Sequence, residues 1–191
     1  TSNDLVEFKQ NVVLGGVGGN RTIDTSTNPG TGAGGTIRLL KDVDGGGNSL
    51  TMVTPGTTGD VGIDGKAHNL NRLTINNSRD LRLQDVEVAG AVDITTQRTA
   101  RLEGVLSTNN KAVILKVNDL VLPAGGAIQA GTGPVQIRSA TTSPEIRLGS
   151  GGAGGGILHI SDAELDRITT SGMLTIGGSV DVGGANQTGT I

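Results

Sequence analysis

Residues 73–106 read LTINNSRDLRLQDVEVAGAVDITTQRTARLEGVL, and one short phrase, apolar-x-apolar, keeps returning in them. It occurs as Leu73-Thr74-Ile75, Leu81-Arg82-Leu83, Val86-Glu87-Val88, Val92-Asp93-Ile94 and Ala100-Arg101-Leu102. Alternation over three residues marks a very short strand with one face buried. The phrase continues as Val113-Ile114-Leu115, Leu120-Val121-Leu122, Val135-Gln136-Ile137, Ile146-Arg147-Leu148 and Leu158-His159-Ile160, with Gly, Asn, Asp, Thr or Ser in most gaps. Its phase is regular: Leu73, Val92, Val113, Val135 and Leu158 advance by 19, 21, 22 and 23 residues, and Leu81, Ala100 and Leu120 by 19 and 20. A chain that returns to phase at this interval stacks each strand on its equivalent one turn later, in parallel sheets without long crossovers. The expected fold is all-β: a right-handed parallel β-helix, a solenoid of about 20–25 residues per coil.

Upstream of this stretch the strands are longer and the gaps richer in glycine: Val12-Val13-Leu14, Thr36 to Leu40, Leu50 to Val53, and Val61-Gly62-Ile63. Ile37 to Val61 is 24 residues and Leu50 to Leu73 is 23, so residues 1–71 read as larger coils and 72–191 as tighter ones. Phased triplets cross the join, and 1–191 therefore reads as a single continuous segment, a fragment of a longer repetitive protein. Eight to nine coils rising about 4.8 Å each give a length near 40 Å. No loop insertion stands out, and no amphipathic helix caps either end. The strand rhythm breaks once, at Ser161-Asp162-Ala163-Glu164-Leu165-Asp166-Arg167-Ile168, where an S-x-x-E capping box precedes Leu165 and Ile168 at helical spacing. One short helical element is expected near 162–168, after which strands resume at Leu174-Thr175-Ile176 and Val180-Asp181-Val182. Leu81, Leu83, Leu102, Leu120, Leu122 and Leu148 are expected to point inward and stack as one column.

Composition narrows the function. Only 34% of residues are hydrophobic, 33 are glycine and Phe8 is the one aromatic residue, so burial must come from Val, Ile and Leu in a narrow column rather than a thick core. A net charge of −3 offers no bulk attraction for nucleic acid. With no cysteine there are no disulfides and no thiolate metal sites, which suits export in an unfolded state. No apolar run approaches the roughly 20 residues of a membrane span, and Thr1 to Gln10 has no leader-like pattern, so membrane insertion is not expected.

Several motifs that could carry chemistry are explained by turn geometry instead. Gly30 to Gly35 satisfies G-x-G-x-x-G, but no apolar strand leads into it. Gly65-Lys66 lacks the rest of a phosphate loop, with Asp60 at the first glycine position and Ala67 where Ser or Thr would hold magnesium. Gly15 to Asn20 is one imperfect copy of a calcium-solenoid phrase, and Asp42-Val43-Asp44-Gly45 lacks the later ligands of a calcium loop. His68 and His159 fall on unrelated positions. No metal or cofactor is expected. Asp85, Glu87 and Glu103 could converge on one edge as glycosidase carboxylates do, yet Arg82 and Arg101 share their phase and no aromatic platform for sugar exists, so no catalytic residues are assigned.

The candidate contact surface is Arg82, Arg101, Glu87 and Glu103. Arg82 and Arg101 occupy the middle of equivalent triplets, so their side chains should emerge about 4.8 Å apart, a mildly unfavourable like-charge pair unless neutralised. Glu87 and Glu103 are the local carboxylates expected to do so. Failing that, the pair forms a basic step suited to an anionic glycan or the acidic edge of a neighbouring rod.

The run LHISDAELDRITTSGMLTIGG, residues 158–178, resembles a repeat of very large bacterial surface proteins of the filamentous haemagglutinin-like type. Thr22-Ile23-Asp24-Thr25-Ser26 with Gly34-Gly35-Thr36-Ile37, Val43-Asp44-Gly45 and Ser49-Leu50-Thr51 is similar to a second repeat from the same group. The resemblance implies a β-helical passenger exported to the cell surface, with the secretion domain or membrane barrel elsewhere in a longer precursor. It brings no catalytic signature. The functional expectation is a structural segment of an extracellular filament, surface fibre or adhesin stalk, self-associating end to end or laterally. The alternatives are a module binding an extracellular glycan or receptor and, behind it, a polysaccharide-degrading enzyme.

Overall fold

A computed structural model describes residues 5–16, 18–26, 35–54, 58–141, 145–149 and 157–178. The strands are taken in repeating threes, here called rungs. The first rung is β1 (Val6–Phe8), β2 (Val12–Val13) and β3 (Asn20–Asp24); the second is β4 (Ile37–Leu39), β5 (Val43–Asp44) and β6 (Ser49–Val53). The third is β7 (Val61–Ile63), β8 (Ala67–Leu70) and β9 (Arg72–Ser78), and the fourth β10 (Leu81–Leu83), β11 (Val86–Val88) and β12 (Val92–Thr96). The fifth is β13 (Thr99–Leu102), β14 (Val105–Thr108) and β15 (Val113–Lys116), and the sixth β16 (Asp119–Val121), β17 (Ala127–Gly131) and β18 (Val135–Arg138). After β19 (Glu145–Leu148), the seventh comprises β20 (Ile157–Ile160), the single-turn helix α1 (Asp162–Leu165), β21 (Ile168–Thr170) and β22 (Leu174–Ile176).

Equivalent strands of successive rungs pair in parallel, giving three sheets of seven or eight strands. Sheet A runs β1-β4-β7-β10-β13-β16-β20-β19, sheet B β2-β5-β8-β11-β14-β17-β21, and sheet C β3-β6-β9-β12-β15-β18-β22. The chain is thus nearly all β, in an arrangement compatible with a parallel β-helix. The spacing read from sequence sets the register through the middle: Leu73, Val92, Val113 and Val135 pair in turn, as do Leu81, Ala100 and Leu120. Ile37 pairs with Val61 and Leu50 with Leu73, as the 24- and 23-residue intervals require.

Apolar members of the triplets face inward, and their burial is nearly complete: Ile63, Leu83, Ile94, Leu115 and Ile137 are all fully buried. Each such side chain contributes roughly 1.5–3 kcal/mol relative to an exposed one. Several polar residues enter the interior with partners, whereas the fully buried Ser78 Oγ has none among the described residues. Asn48, fully buried beside the turn Asp44 to Gly47, donates through Nδ2 to the carbonyls of Leu14, Gly16 and Gly45 and accepts the Gly19 N–H at Oδ1. It stitches the first two rungs together where orphaned backbone groups would otherwise be buried. Thr96, also buried, donates to the carbonyls of Ser78 and Arg79 one rung below.

Three sequence expectations need correction. Leu158 is not the equivalent of Val135: it lies in sheet A, and Val135 pairs instead with Leu174. The chain between Arg138 and Ile157 carries an extra strand, β19, so the last rung is not tight; the described residues hold seven rungs. Leu148 is 45% exposed; the other five leucines are buried, but Leu81 and Leu120 align through Ala100 while Leu83 pairs with Leu102, so they do not form one column. The expected short helical element is present, as a single turn with a complete capping box on Ser161 and Glu164, and Ile168 opens β21. The triplet Val180 to Val182 lies outside the described residues, as does most of the Gly30 to Gly35 motif.

Candidate functional site

The sequence-derived candidates belong to the outward face of sheet A, where the register builds a grid. Gly62 is the outward position of β7, flanked by Asp60 and Asp64; in register with Gly62 are Arg38 in β4, Arg82 in β10 and, beyond it, Arg101 in β13. Two residues earlier along each strand stand Thr36, Asp60, Asp80 and Thr99. Parallel pairing in exact phase makes these columns, since each rung repeats the same inward–outward alternation.

Arg82 and Arg101 are neighbours in register, as expected. Their repulsion is offset by Glu103, whose carboxylate lies 2.6 Å from Arg101 Nε and 3.5 Å from Arg82 Nε. The hydrogen bond from Arg101, with the charges of Arg101 and Arg82 behind it, holds the Glu103 carboxyl below its ordinary value against a smaller desolvation effect. Glu87 does not take part. It points outward from sheet B and pairs with Lys66 at 3.5 Å. The carboxylate that takes its place is Asp64, which bridges Arg38 at 3.2 Å and Arg82 at 3.0 Å. Asp60 accepts a two-point bond from Arg79, with Nε–Oδ1 at 2.8 Å and Nη2–Oδ2 at 2.6 Å. Asp80 lies 3.5 Å from both Arg79 and Arg98. Arg38, Asp60, Gly62, Asp64 and Asp80 were legible in principle, because the 24-residue step from Ile37 to Val61 puts Arg38 and Gly62 in phase with Arg82.

The rejected chemistry has a local explanation. Asp42 accepts the Lys66 N–H, and Asp44 accepts the Gly46 N–H and the Asn69 amide, so both carboxylates serve turns in adjacent rungs. Those bonds, Gly46 first, lower the Asp44 pKa. Asp85 accepts the Val105 N–H and lines a small cavity with Glu87 and Lys66, while Glu103 is taken up by Arg82 and Arg101, so the three carboxylates do not share one site. Among the described residues no group of three or more His, Asp or Glu side chains is placed to hold a metal ion. No described helix is long and apolar enough to cross a membrane. In comparisons with protein-family models, curated proteins and solved structures, nothing matches this chain.

Proposed function

We propose that the three sheets close into a right-handed parallel β-helix and that the chain is a structural segment of an extracellular filament, surface fibre or adhesin stalk. The observation that carries this reading is where the apolar surface lies. Among the described residues, the exposed large hydrophobic side chains are Leu5, Phe8 and Val13 at one end of the rung stack and Ile146, Leu148, Met173 and Leu174 at the other. Among the described residues, β1 and β19 are also the two edge strands of sheet A. Unpaired edges and apolar side chains confined to the ends favour growth along the stacking axis, by a neighbouring repeat or a second copy of the chain, while charged lateral faces disfavour clumping. The resemblance to filamentous haemagglutinin-like repeats supports the same reading and adds a cell-surface setting. Negative-stain electron microscopy of the purified chain across a concentration series is the test: rods that lengthen end to end are expected, and Ile146→Lys with Leu148→Lys should shorten them. Compact particles with no axial growth at any concentration would refute the proposal.

A further inference from the structure

The last strand of sheet A stands out of chain order. β19 precedes β20 in sequence but lies beyond it in the stack, so sheet A has eight strands where sheets B and C have seven. The extra place is the one that the sheet A strand of an eighth rung would take. β19 fills it by pairing in parallel with β20, with Ile146 opposite Leu158, Arg147 opposite His159 and Leu148 opposite Ile160. Among the described residues β20 is its one partner strand, and all four of its residues are exposed. Its Ile146 side chain lies against Gly177, where the chain leaves β22.

A second triplet is in phase for the same place. Leu73, Val92, Val113, Val135 and Leu174 are equivalents in sheet C. Leu81, Ala100, Leu120 and, through the Asp119–His159 pair, Ile160 are equivalents in sheet A. The step from the sheet C residue to the sheet A residue of the next rung is eight from Leu73 to Leu81, eight from Val92 to Ala100 and seven from Val113 to Leu120. Eight residues after Leu174 stands Val182, in the apolar-x-apolar triplet Val180-Asp181-Val182. Carried by that step, Val182 arrives opposite Ile160 and Val180 opposite Leu158, the places that Leu148 and Ile146 hold. The regular connections climb one rung over this length of chain, so the triplet reaches the edge of β20 and not the far edge of β19.

We propose that β19 and residues 180–182 are rival strands for one place, the outer edge of β20, and that exchange between them sets which strand this end of the stack presents. The two are alike in kind. Each brings two aliphatic side chains to the inner face beside Leu158 and Ile160, which are fully buried, and one charged side chain, Arg147 or Asp181, to the outer face beside His159. Ile and Leu are each one methylene larger than Val, which favours β19. Residues 180–182 hang from β22 by Gly177, Gly178 and Ser179 alone, a tether that keeps their effective concentration at the edge of millimolar order. The consequence rests on the rod reading. With β19 in place, the stack ends on a strand taken from upstream in the chain. With residues 180–182 in place, stacking continues in chain order, and the released β19 is a free strand with an apolar face that can add to the sheet edge of a second copy. In both states Ile146 and Leu148 are side chains that a second copy meets, so shorter rods in the double lysine variant do not tell the states apart.

Cross-linking in dilute monomer does. The chain has no cysteine, so an introduced pair reports only its own geometry. Opposed inward residues of adjacent parallel strands lie about 4.8 Å apart, inside the Cα range that a disulfide spans. Leu148→Cys with Ile160→Cys reports β19 in place, and Val182→Cys with Ile160→Cys reports the exchanged state. In one glutathione buffer both pairs should close within the monomer, the second more slowly. Adding Ile146→Lys and Leu148→Lys to the second pair weakens the hold of β19 and should speed closure about fivefold. A Val182–Ile160 pair that never closes, even with the two lysines present, would overturn the proposal. Preferential closure of Val182→Cys with Leu148→Cys would overturn it as well, because the triplet would then lie on the far edge of β19. Electron microscopy of the same variants scores the rods separately. Closure without rods would refute the rod reading and leave the exchange standing, and rods without closure would do the reverse.

Discussion

The triplet Val92-Asp93-Ile94 and the triplet Ile146-Arg147-Leu148 look alike in sequence and have opposite fates. Val92 and Ile94, in β12, are fully buried between β9 and β15. Ile146 and Leu148, in β19, are 36% and 45% exposed, on a strand that pairs only with β20 and out of chain order. Alternation specifies a strand with two unlike faces; it does not specify what covers the apolar one. In the middle rungs the next strand arrives in phase after about twenty residues and supplies the cover. β19 instead meets β20 after only twelve residues, and its Ile146 lies against Gly177.

The sharpest way to break this contrast is to place the same charge in both settings. Leu102→Asp puts an unpaired carboxylate among fully buried neighbours and should cost several kcal/mol, close to the range of large core losses. Leu148→Asp removes a half-exposed leucine from an edge strand and should stay within about 0.5 kcal/mol. Urea denaturation of both variants measures the difference. Similar losses would mean that β19 is covered and that its exposure is not the distinction drawn above.

The fold was legible where local pattern and stacking coincide. From Ile37 to Arg138 the intervals of 19 to 24 residues fixed which strand meets which, because every insertion there is too short to disturb the phase. It failed at Leu158, where a coincidental 23-residue step from Val135 hid an insertion that carries a strand of its own. Asn48 was silent for another reason: one asparagine among turn residues gives no sign that it will be fully buried with four backbone partners. The candidate surface was half legible. Arg82, Arg101 and Glu103 followed from phase, whereas Glu87 turned to Lys66 because sequence proximity to Arg82 does not place it on the same sheet. Asp64 and Gly62 were overlooked because the signal of Gly62 is a missing side chain.

The re-entry into regular stacking after β19 rests on α1, and a smaller effect probes it. Ser161 Oγ accepts the Glu164 N–H, while the Glu164 carboxylate accepts the Ser161 N–H at 2.9 Å and reaches the Leu122 N–H at 3.2 Å, tying the helix to the sixth rung. Arg167 adds a bond to the Leu122 carbonyl. Ser161→Ala should cost about 1 kcal/mol, the usual worth of an N-cap, and hydrogen exchange should rise in the seventh rung while the middle rungs keep their protection. Uniform loosening along the whole chain would show instead that the last rung and the middle unfold as one unit.

The smallest effect sits at the seam itself. Asp119, in β16, is half-buried between Thr99 and His159, where β20 joins sheet A after the insertion. Desolvation raises its pKa first, with the Glu164 charge adding to it, against weaker lowering by His159 and a Thr99 hydrogen bond. A carboxyl whose pKa is higher folded than unfolded binds its proton more tightly in the native state. Below the ordinary carboxylate range both states are protonated and the group is neutral toward stability. As pH rises from the unfolded pKa to the raised folded one, the unfolded chain releases its proton first and stability falls; above that window the loss is constant. Asp119→Asn removes the charge and keeps an acceptor for Thr99, so it should raise the melting temperature at neutral pH and leave it unchanged in acid. The same substitution at Asp93, on the outward face of β12 beside Arg72, removes an exposed pair at 4.0 Å and should do neither. A gain at Asp119 that persisted below the carboxylate range would mean that packing, not charge, separates the seam from the regular rungs.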